Sequence, residues 1–149
     1  MKPSILLLHG ALGSKKQFKL LKEKLSKQFN FYDFNFEGHG GRESNQAFSI
    51  QLFTQNTVEF LEENKLKSIA IFGYSMGAYV ALNLAIQHPR LIQKIVTLGI
   101  KFDWSKETTA KEISQLNPEK IELKVPAFAQ KLKDEHSPND WKELVLKTA

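Results

Sequence analysis

Residues 69–78 have the sequence IAIFGYSMGA, and this stretch organises the rest of the chain. Its apolar beginning predicts a buried strand, which ends in a Gly-x-Ser-x-Gly pattern from Gly73 to Gly77 and leads directly into a helix pattern of small residues. A strand, a tight turn and a helix would hold Ser75 at the tip of the turn with its hydroxyl pointing outward. The first N–H groups of the helix would face the same point, so the arrangement suits a nucleophile that attacks a carbonyl.

Segments of strand type and of helix type alternate on both sides of this stretch, through residue 100. This alternation predicts a parallel sheet with helices on both faces. The second strand also alternates in polarity, which favours a place near the sheet edge. The other predicted strands cover residues 4–8, 30–36 and 95–100, and the predicted helices cover residues 18–29, 50–61 and 76–88.

Residues 101–149 differ, because they contain no further β-like run of sufficient length. Helical patterns dominate there, and N-caps are predicted at Asn117 as well as at Ser14 and Ser49 earlier in the chain. We therefore predict an α/β fold of three layers, with a mostly parallel sheet of about four strands in residues 1–104 and a truncated helical segment in residues 105–149. The helices of that segment are expected over residues 107–116, 118–123 and 125–132, and from residue 137 onward.

The composition limits the classes of protein that remain. The chain has 149 residues, of which 42% are hydrophobic and 25% charged, enough for one domain with a core. No apolar run approaches the roughly 18 residues of a membrane span, and the short run near the start is too short for a signal peptide. Cysteine is absent, which excludes disulfides and thiolate metal sites. We expect a cytoplasmic protein with no metal, no cofactor and no membrane contact.

The net charge of +5 is concentrated in residues 1–30, where seven lysines face one acid, Glu23. Such a cluster is compatible with a nucleic-acid or membrane surface, and also with the solvated face of an amphipathic helix. The lysines alternate with a regular apolar stripe and are not interleaved with aromatic residues. We therefore favour the solvated face and expect no nucleic-acid partner.

Three motifs in order resemble those of the α/β-hydrolase superfamily, and the resemblance covers roughly residues 4–105. They are HGALG at residues 9–13, EGHG at residues 37–40, and GYSMG at residues 73–77. The superfamily usually has proline where this chain has Glu37. The helical residues 105–149 look like the start of the cap that these enzymes insert after the strand following the nucleophile helix.

The resemblance implies specific roles for residues of the first and third motifs. Ser75 would be the nucleophile, and the backbone N–H groups of Met76 and Ala11 would stabilise the oxyanion. A small acyl substrate would lie near Gly10, Tyr74 and, in one interpretation, His9.

The histidines do not supply an obvious base, because the superfamily order is serine, then acid, then histidine. His9 and His39 are interpreted as structural residues of their loops, and His88 as a residue at a helix C-terminus. His136 is expected at the surface. Asp103 lies where a minority of these hydrolases place the triad acid.

No histidine is therefore placed as the triad base, and the resemblance implies the N-terminal part of a longer hydrolase that is without its triad acid and base. Its fourth strand would form a bare apolar edge. We expect self-association or pairing with a complementary C-terminal fragment.

Three functions remain open at this stage. The first is a serine hydrolase that acts on a small ester, thioester or related acyl substrate. The second is the menaquinone-pathway lyase branch of the same superfamily, which eliminates pyruvate; its polyanionic substrate would require arginines, and only Arg42 and Arg90 are present. The third is a non-catalytic remnant or interaction module.

Overall fold

The computed structural model describes residues 2–149 and contains one parallel sheet of four strands. The strand order is β2-β1-β3-β4, so β2 lies at an edge, as predicted from its alternating polarity. The α/β class with a parallel sheet is thereby confirmed. The strands are β1 (Ser4–Leu8), β2 (Asn30–Asp33), β3 (Ile69–Tyr74) and β4 (Ile92–Leu98).

Both faces of the sheet carry helical structure, also as predicted. Helices α2 (Ile50–Glu63) and α3 (Met76–Gln87) pack together on one face and enclose the main apolar core with β1 and β3. Successive strand residues point to opposite faces, so Phe72 lies on the other face. There it meets Phe18, which ends the 3-10 turn Lys15–Phe18 before α1 (Lys19–Leu25), at a ring-centroid distance of 6.0 Å.

The predicted N-caps form because each side chain accepts a hydrogen bond from a backbone amide two or three residues ahead. Ser14 accepts from the amide of Lys16, and Ser49 accepts from the amide of Leu52. Asn117 caps the second helix of the C-terminal segment in the same way. These short-range bonds fix where three helical segments begin.

The C-terminal segment is helical throughout its regular parts. The last three of its helices share a second apolar cluster, against which Leu116 and, from the loop after β1, Leu12 also pack. The division at residues 104 and 105 stays a prediction. None of the helices in residues 2–149 combines the length and apolar character needed to span a bilayer. The helices are α4 (Lys106–Gln115), α5 (Pro118–Lys124), α6 (Pro126–His136) and α7 (Trp141–Thr148).

Two predicted elements are shorter than expected. Strand β2 ends at Asp33, not at residue 36. Asp33 pairs with Leu7, and β1 ends at Leu8, so residues 35 and 36 have no strand opposite them. Helix α1 ends at Leu25, not at residue 29. The residues that follow turn the chain so that the amide of Asn30 reaches the carbonyl of Pro3 at 2.9 Å.

Two other element boundaries differ from the prediction because they depend on contacts with residues distant in the sequence. Strand β4 covers residues 92–98 where 95–100 was predicted, since it pairs with β3 from its first residue and ends at Gly99, whose φ is +68°. Helix α7 begins at Trp141, not near residue 137. Asp140 caps it, while the three residues before Asp140 pack on the loop after β2.

Candidate active site

Ser75 lies between β3 and α3 in a backbone conformation that side chains rarely adopt. Its φ is 49° and its ψ is −114°, and its amide donates to the carbonyl of Leu98 at 2.8 Å. Such a conformation costs on the order of 1–3 kcal/mol and persists only where the surroundings impose it. The strand–turn–helix prediction for this residue is therefore correct in geometry.

Gly73 and Gly77 lie on either side of Ser75 and permit this turn, because the surrounding backbone leaves no room for a Cβ at either position. A Cβ on Gly77 would lie 2.1 Å from the carbonyl oxygen of Leu8, and a Cβ on Gly73 would lie 2.6 Å from the Cα of Ala78. The absence of both Cβ atoms lets α3 begin directly against β1 and β3. The first amides of α3, including that of Met76, have no partner within the helix and point toward the turn.

The loop after β1 passes beside this turn. A Cβ on Gly10 would lie 2.9 Å from the ring of Tyr74 and 3.3 Å from the Cβ of Ser75, so the loop backbone is in close contact with the serine. Ala11 follows Gly10 and borders the same cavities as Ser75. The structure thus brings together Ser75, Met76, Ala11, Gly10 and Tyr74.

Two cavities meet at Ser75. The larger has a volume of about 490 Å³ and is lined mainly by apolar side chains, among them Met76, Trp104 and Leu116. The smaller has a volume of about 240 Å³ and is more polar, with Lys131 and Glu135 in its wall. Tyr74 borders only the smaller cavity, and Ala11 borders both.

His9 lies behind these cavities and not in their lining, which corrects the suggestion that it contacts substrate. It is fully buried, its Nε2 accepts from the amide of Phe36 at 3.2 Å, and its Nδ1–H therefore donates to the carbonyl of Gly10 at 2.9 Å. Burial, reinforced by the neighbouring His39, lowers the pKa of His9 from 6.5 to about 3. A neutral His9 fixes the backbone at the start of the loop after β1.

His39 is also buried and neutral. Its Nδ1 donates to the carbonyl of Glu37 at 2.9 Å, and its ring lies 5.0 Å from that of His9. Burial lowers the pKa of His39 to about 4. Its Nε2 has no hydrogen-bond partner among the described residues. A protonated His39 would thus leave a buried N–H without an acceptor.

The expectation that His136 lies at the surface is wrong. Its side chain is fully buried at the end of α6, because this helix packs onto the loops that follow β1 and β2. Its Nδ1 accepts from the amide of Gly40 at 2.9 Å, and its Nε2 lies 3.0 Å from the carbonyl oxygen of Leu12. Burial lowers its pKa as well. The sequence around His136 is Asp-Glu-His-Ser, which is polar and typical of a surface turn. It contains no local signal that predicts burial.

Among residues 2–149, no histidine is placed to act as the base for Ser75. The hydroxyl of Ser75 has no hydrogen-bond partner there. His9 and His136 are bonded at both ring nitrogens, and His39 is fully buried. His88 is exposed at the opposite end of α3, about 18 Å away for a helix of this length. Asp103 is exposed, and no hydrogen bond joins its carboxylate to a described histidine.

Contacts of the loop after β2 explain why this chain has Glu37 where the superfamily usually has proline. Asn56 on α2 makes two bonds with Glu37, accepting from its amide at 3.0 Å and donating to its carboxylate at 2.8 Å. A proline would lack that amide. Arg42 of the same loop donates to the carbonyl of Asn35 and borders a separate cavity, so it does not reach Ser75.

No group of three histidine, aspartate or glutamate side chains in the described part of the chain is arranged to hold a metal ion. The profile of the alpha/beta hydrolase fold family matches residues 3–138. The chain belongs to the α/β-hydrolase family. That match includes all three motifs and covers the chain to the end of α6.

Curated relatives of this α/β-hydrolase chain include acetyltransferases from yeasts. It is 38% identical over 101 residues to a probable alcohol acetyltransferase of Cyberlindnera fabianii, covering 64% of this chain and 26% of that protein. It is 32% identical over 96 residues to ethanol acetyltransferase 1 of Hanseniaspora uvarum, covering 63% and 29%. The chain thus spans little more than a quarter of the length of these relatives.

Solved structures agree with the α/β-hydrolase fold. NosK from Streptomyces actuosus superposes with a TM-score of 0.85 at 22% identity, covering 99% of this chain and 63% of that one. The enol-lactonase from Burkholderia xenovorans LB400 superposes with a TM-score of 0.75 at 16% identity, covering 97% and 63%. At these identities the likeness concerns the fold alone.

Proposed function

We propose that this chain carries the nucleophile half of a serine-dependent acyl-transfer site that acts on a small ester, thioester or related acyl substrate. The observation that supports this most is the strained turn at Ser75, which holds a free hydroxyl beside the first amides of α3 and the Ala11 loop. The strain indicates a conformation retained for a purpose other than stability.

The proposed chemistry begins with attack of the Ser75 oxygen on the acyl carbon. The bond from oxygen to carbon forms as the hydroxyl proton passes to a base, and the amides of Ala11 and Met76 hold the negative oxygen of the tetrahedral intermediate. The bond to the leaving alcohol or thiol then breaks as that group takes a proton. Water or a second alcohol finally accepts the acyl group, so hydrolysis and alcohol acylation share this first half.

We propose that the base and its acid partner come from polypeptide outside these 149 residues, either in the same protein or in a partner chain. The support is that no described histidine is available to Ser75. Strand β4 is a free edge beside the turn and exposes Val96 and Leu98, which suits the docking of further strands. Pairing of two copies through this edge is the alternative, and a monodisperse monomer in light scattering would contradict that alternative.

The larger cavity favours an uncharged acyl group with an apolar chain. Its volume of about 490 Å³ exceeds what an acetyl group fills, and its wall beyond Ser75 is mostly apolar. Release of p-nitrophenol from acetate and hexanoate esters compares the two chain lengths. We expect the longer chain to react faster at equal concentration.

Labelling with a fluorophosphonate probe tests the proposal directly. We expect slow labelling of the chain, acceleration by millimolar imidazole as a substitute base, and complete loss in Ser75→Ala. Ser68→Ala is the matched control, because Ser68 is exposed and precedes the same strand. Imidazole-independent labelling that needs a group titrating near pH 6–7 would instead place the base within the chain.

Absence of labelling with or without imidazole would contradict the proposal and favour a non-catalytic interaction module. The lyase alternative has no support from the site, since Arg42 lies in another cavity and Arg90 follows the far end of α3. The names of the yeast relatives favour an alcohol as acyl acceptor. Adding ethanol during ester turnover and measuring ethyl ester by gas chromatography would separate transfer from hydrolysis.

A further inference from the structure

Several contacts join the C-terminal helices to the loop that carries Ala11. His136 ends α6, is fully buried, and lies 124 residues from the carbonyl of Leu12 that it contacts at 3.0 Å. The amide of Gly40 can only donate, so the Nδ1 that receives it carries no proton. The proton of this neutral ring is therefore on Nε2 and is donated to Leu12.

Leu12 itself requires outside support. Its φ is 56°, in the left-handed region that a residue with a branched Cγ rarely occupies. Its side chain packs against the second apolar cluster formed by helices α5 to α7. Both the carbonyl and the side chain of Leu12 are therefore held from the C-terminal segment.

The same segment makes a second bond to this loop. Ser14, two residues after Leu12, donates its hydroxyl to the Glu135 carboxylate at 2.6 Å. Asn139 binds only the other loop, where its amide group donates to the carbonyls of Arg42 at 2.7 Å and Gly38 at 3.4 Å. Contacts to the loop after β1 and contacts to the loop after β2 can thus be removed separately.

We propose that His136 is a positioning residue of the acyl-transfer site. By accepting from Gly40 and donating to Leu12, it keeps Leu12 in the left-handed conformation, and this conformation sets the direction of the preceding Ala11 amide beside Ser75. The inference rests on the proposed function in that Ala11 is taken as an oxyanion donor. A purely structural role would only fasten α6 to the two loops.

Two substitutions of His136 each keep one of its two hydrogen bonds and remove the other. In His136→Asn the amide oxygen is attached to Cγ, as Nδ1 is, so the bond from Gly40 is retained and the bond to Leu12 is lost. In His136→Gln the side-chain amide reaches the place of Nε2, so the bond to Leu12 is retained. Asn139→Ala is the matched control within the same segment.

The readouts are the imidazole-assisted labelling rate of Ser75 and the amide resonances of Ala11 and Leu12 in ¹⁵N-labelled protein. We expect His136→Asn to shift these resonances and to slow labelling about tenfold, a fraction of the hundredfold or more that loss of a whole donor costs. His136→Gln should stay within about threefold of the unchanged protein and leave the two resonances in place. Asn139→Ala should do the same.

Equal effects of the Asn and Gln variants on labelling, or unmoved Ala11 and Leu12 resonances in His136→Asn, would overturn the proposal. Should His136→Asn fail to fold, Leu12→Ala loosens the same residue from the second cluster with His136 intact, and it should slow labelling to a similar extent. If the unchanged chain is not labelled at all, the proposed function fails, while the Ala11 resonance still decides whether His136 positions that amide.

Discussion

The loops that follow β1 and β2 enclose three buried histidines, whereas β4 on the other side of Ser75 leaves much of one face in solvent. His9, His39 and His136 are fully buried under the two loops. Leu7, Phe72 and Val96 are neighbours on one sheet face, yet Leu7 is 1% exposed and Val96 is 60% exposed. The backbone groups of the candidate site are thus packed against other parts of residues 2–149. On the side near β4, by contrast, much of the sheet face is open to solvent.

Acidification should destabilise the enclosed side most. The folded state lowers the pKa of His9 to about 3 and of His39 to about 4, so the unfolded chain binds more protons below pH 6.5. The contribution of these two neutral histidines to the free energy of unfolding is therefore fully present above pH 6.5 and is lost as the pH falls. Each histidine should cost about 2 kcal/mol between pH 7 and 5, hence about 4 kcal/mol together.

Urea unfolding at pH 7 and pH 5 measures this loss. His88→Gln, which alters only an exposed ring, should leave the difference between the two pH values unchanged. His39→Phe should reduce that difference by about half. Equal stability of the unchanged protein at both pH values would contradict neutral burial of the pair.

Adding a side chain where α3 packs against β1 should lower the free energy of unfolding almost as much. In Gly77→Ala the added Cβ would lie 2.1 Å from the carbonyl oxygen of Leu8, a backbone atom that cannot move independently. We expect a loss of about 3 kcal/mol in the free energy of unfolding. Gly13→Ala is the control, because its Cβ would meet only the flexible end of Gln17. A loss below about 1 kcal/mol in Gly77→Ala would show that α3 can shift outward.

The same chemical change on the two sides compares them directly. Val80→Ala removes methyl groups from a fully buried site on α3, and we expect a loss of about 2 kcal/mol. Val96→Ala on β4 should cost less than about 0.5 kcal/mol, because that side chain is already mostly in water. Thermal or urea unfolding of both variants tests the contrast. A large effect at Val96 would indicate that another chain covers β4 in solution.

A smaller effect than that of Val80→Ala is expected at Ser75, where the two sides meet. Glycine tolerates the backbone angles of Ser75, whereas alanine does not. Ser75→Gly should therefore be more stable than Ser75→Ala by about 1 kcal/mol. Calorimetry of the two variants isolates the strain from the hydroxyl, which both lack. Equal melting temperatures would mean that the turn is not strained.

Local signals in the sequence predicted most of the fold. Strand and helix periodicity gave the order of elements, and the caps at Ser14, Ser49 and Asn117 formed as predicted, because each depends on neighbours two or three residues away. The turn at Ser75 follows from the spacing of Gly73 and Gly77 after a strand. Errors concentrated at element ends, where pairing partners decide the length.

The sequence by itself determined the elements, their order and the placement of a serine between a strand and a helix. Only the tertiary structure decided that β2 stops at Asp33 and that His136 is buried. The partners of His136 lie 124 and 96 residues away, and no local pattern encodes a contact over such a separation. Hydrogen bonding and periodicity act over a few residues, whereas burial depends on which segments the completed fold brings together.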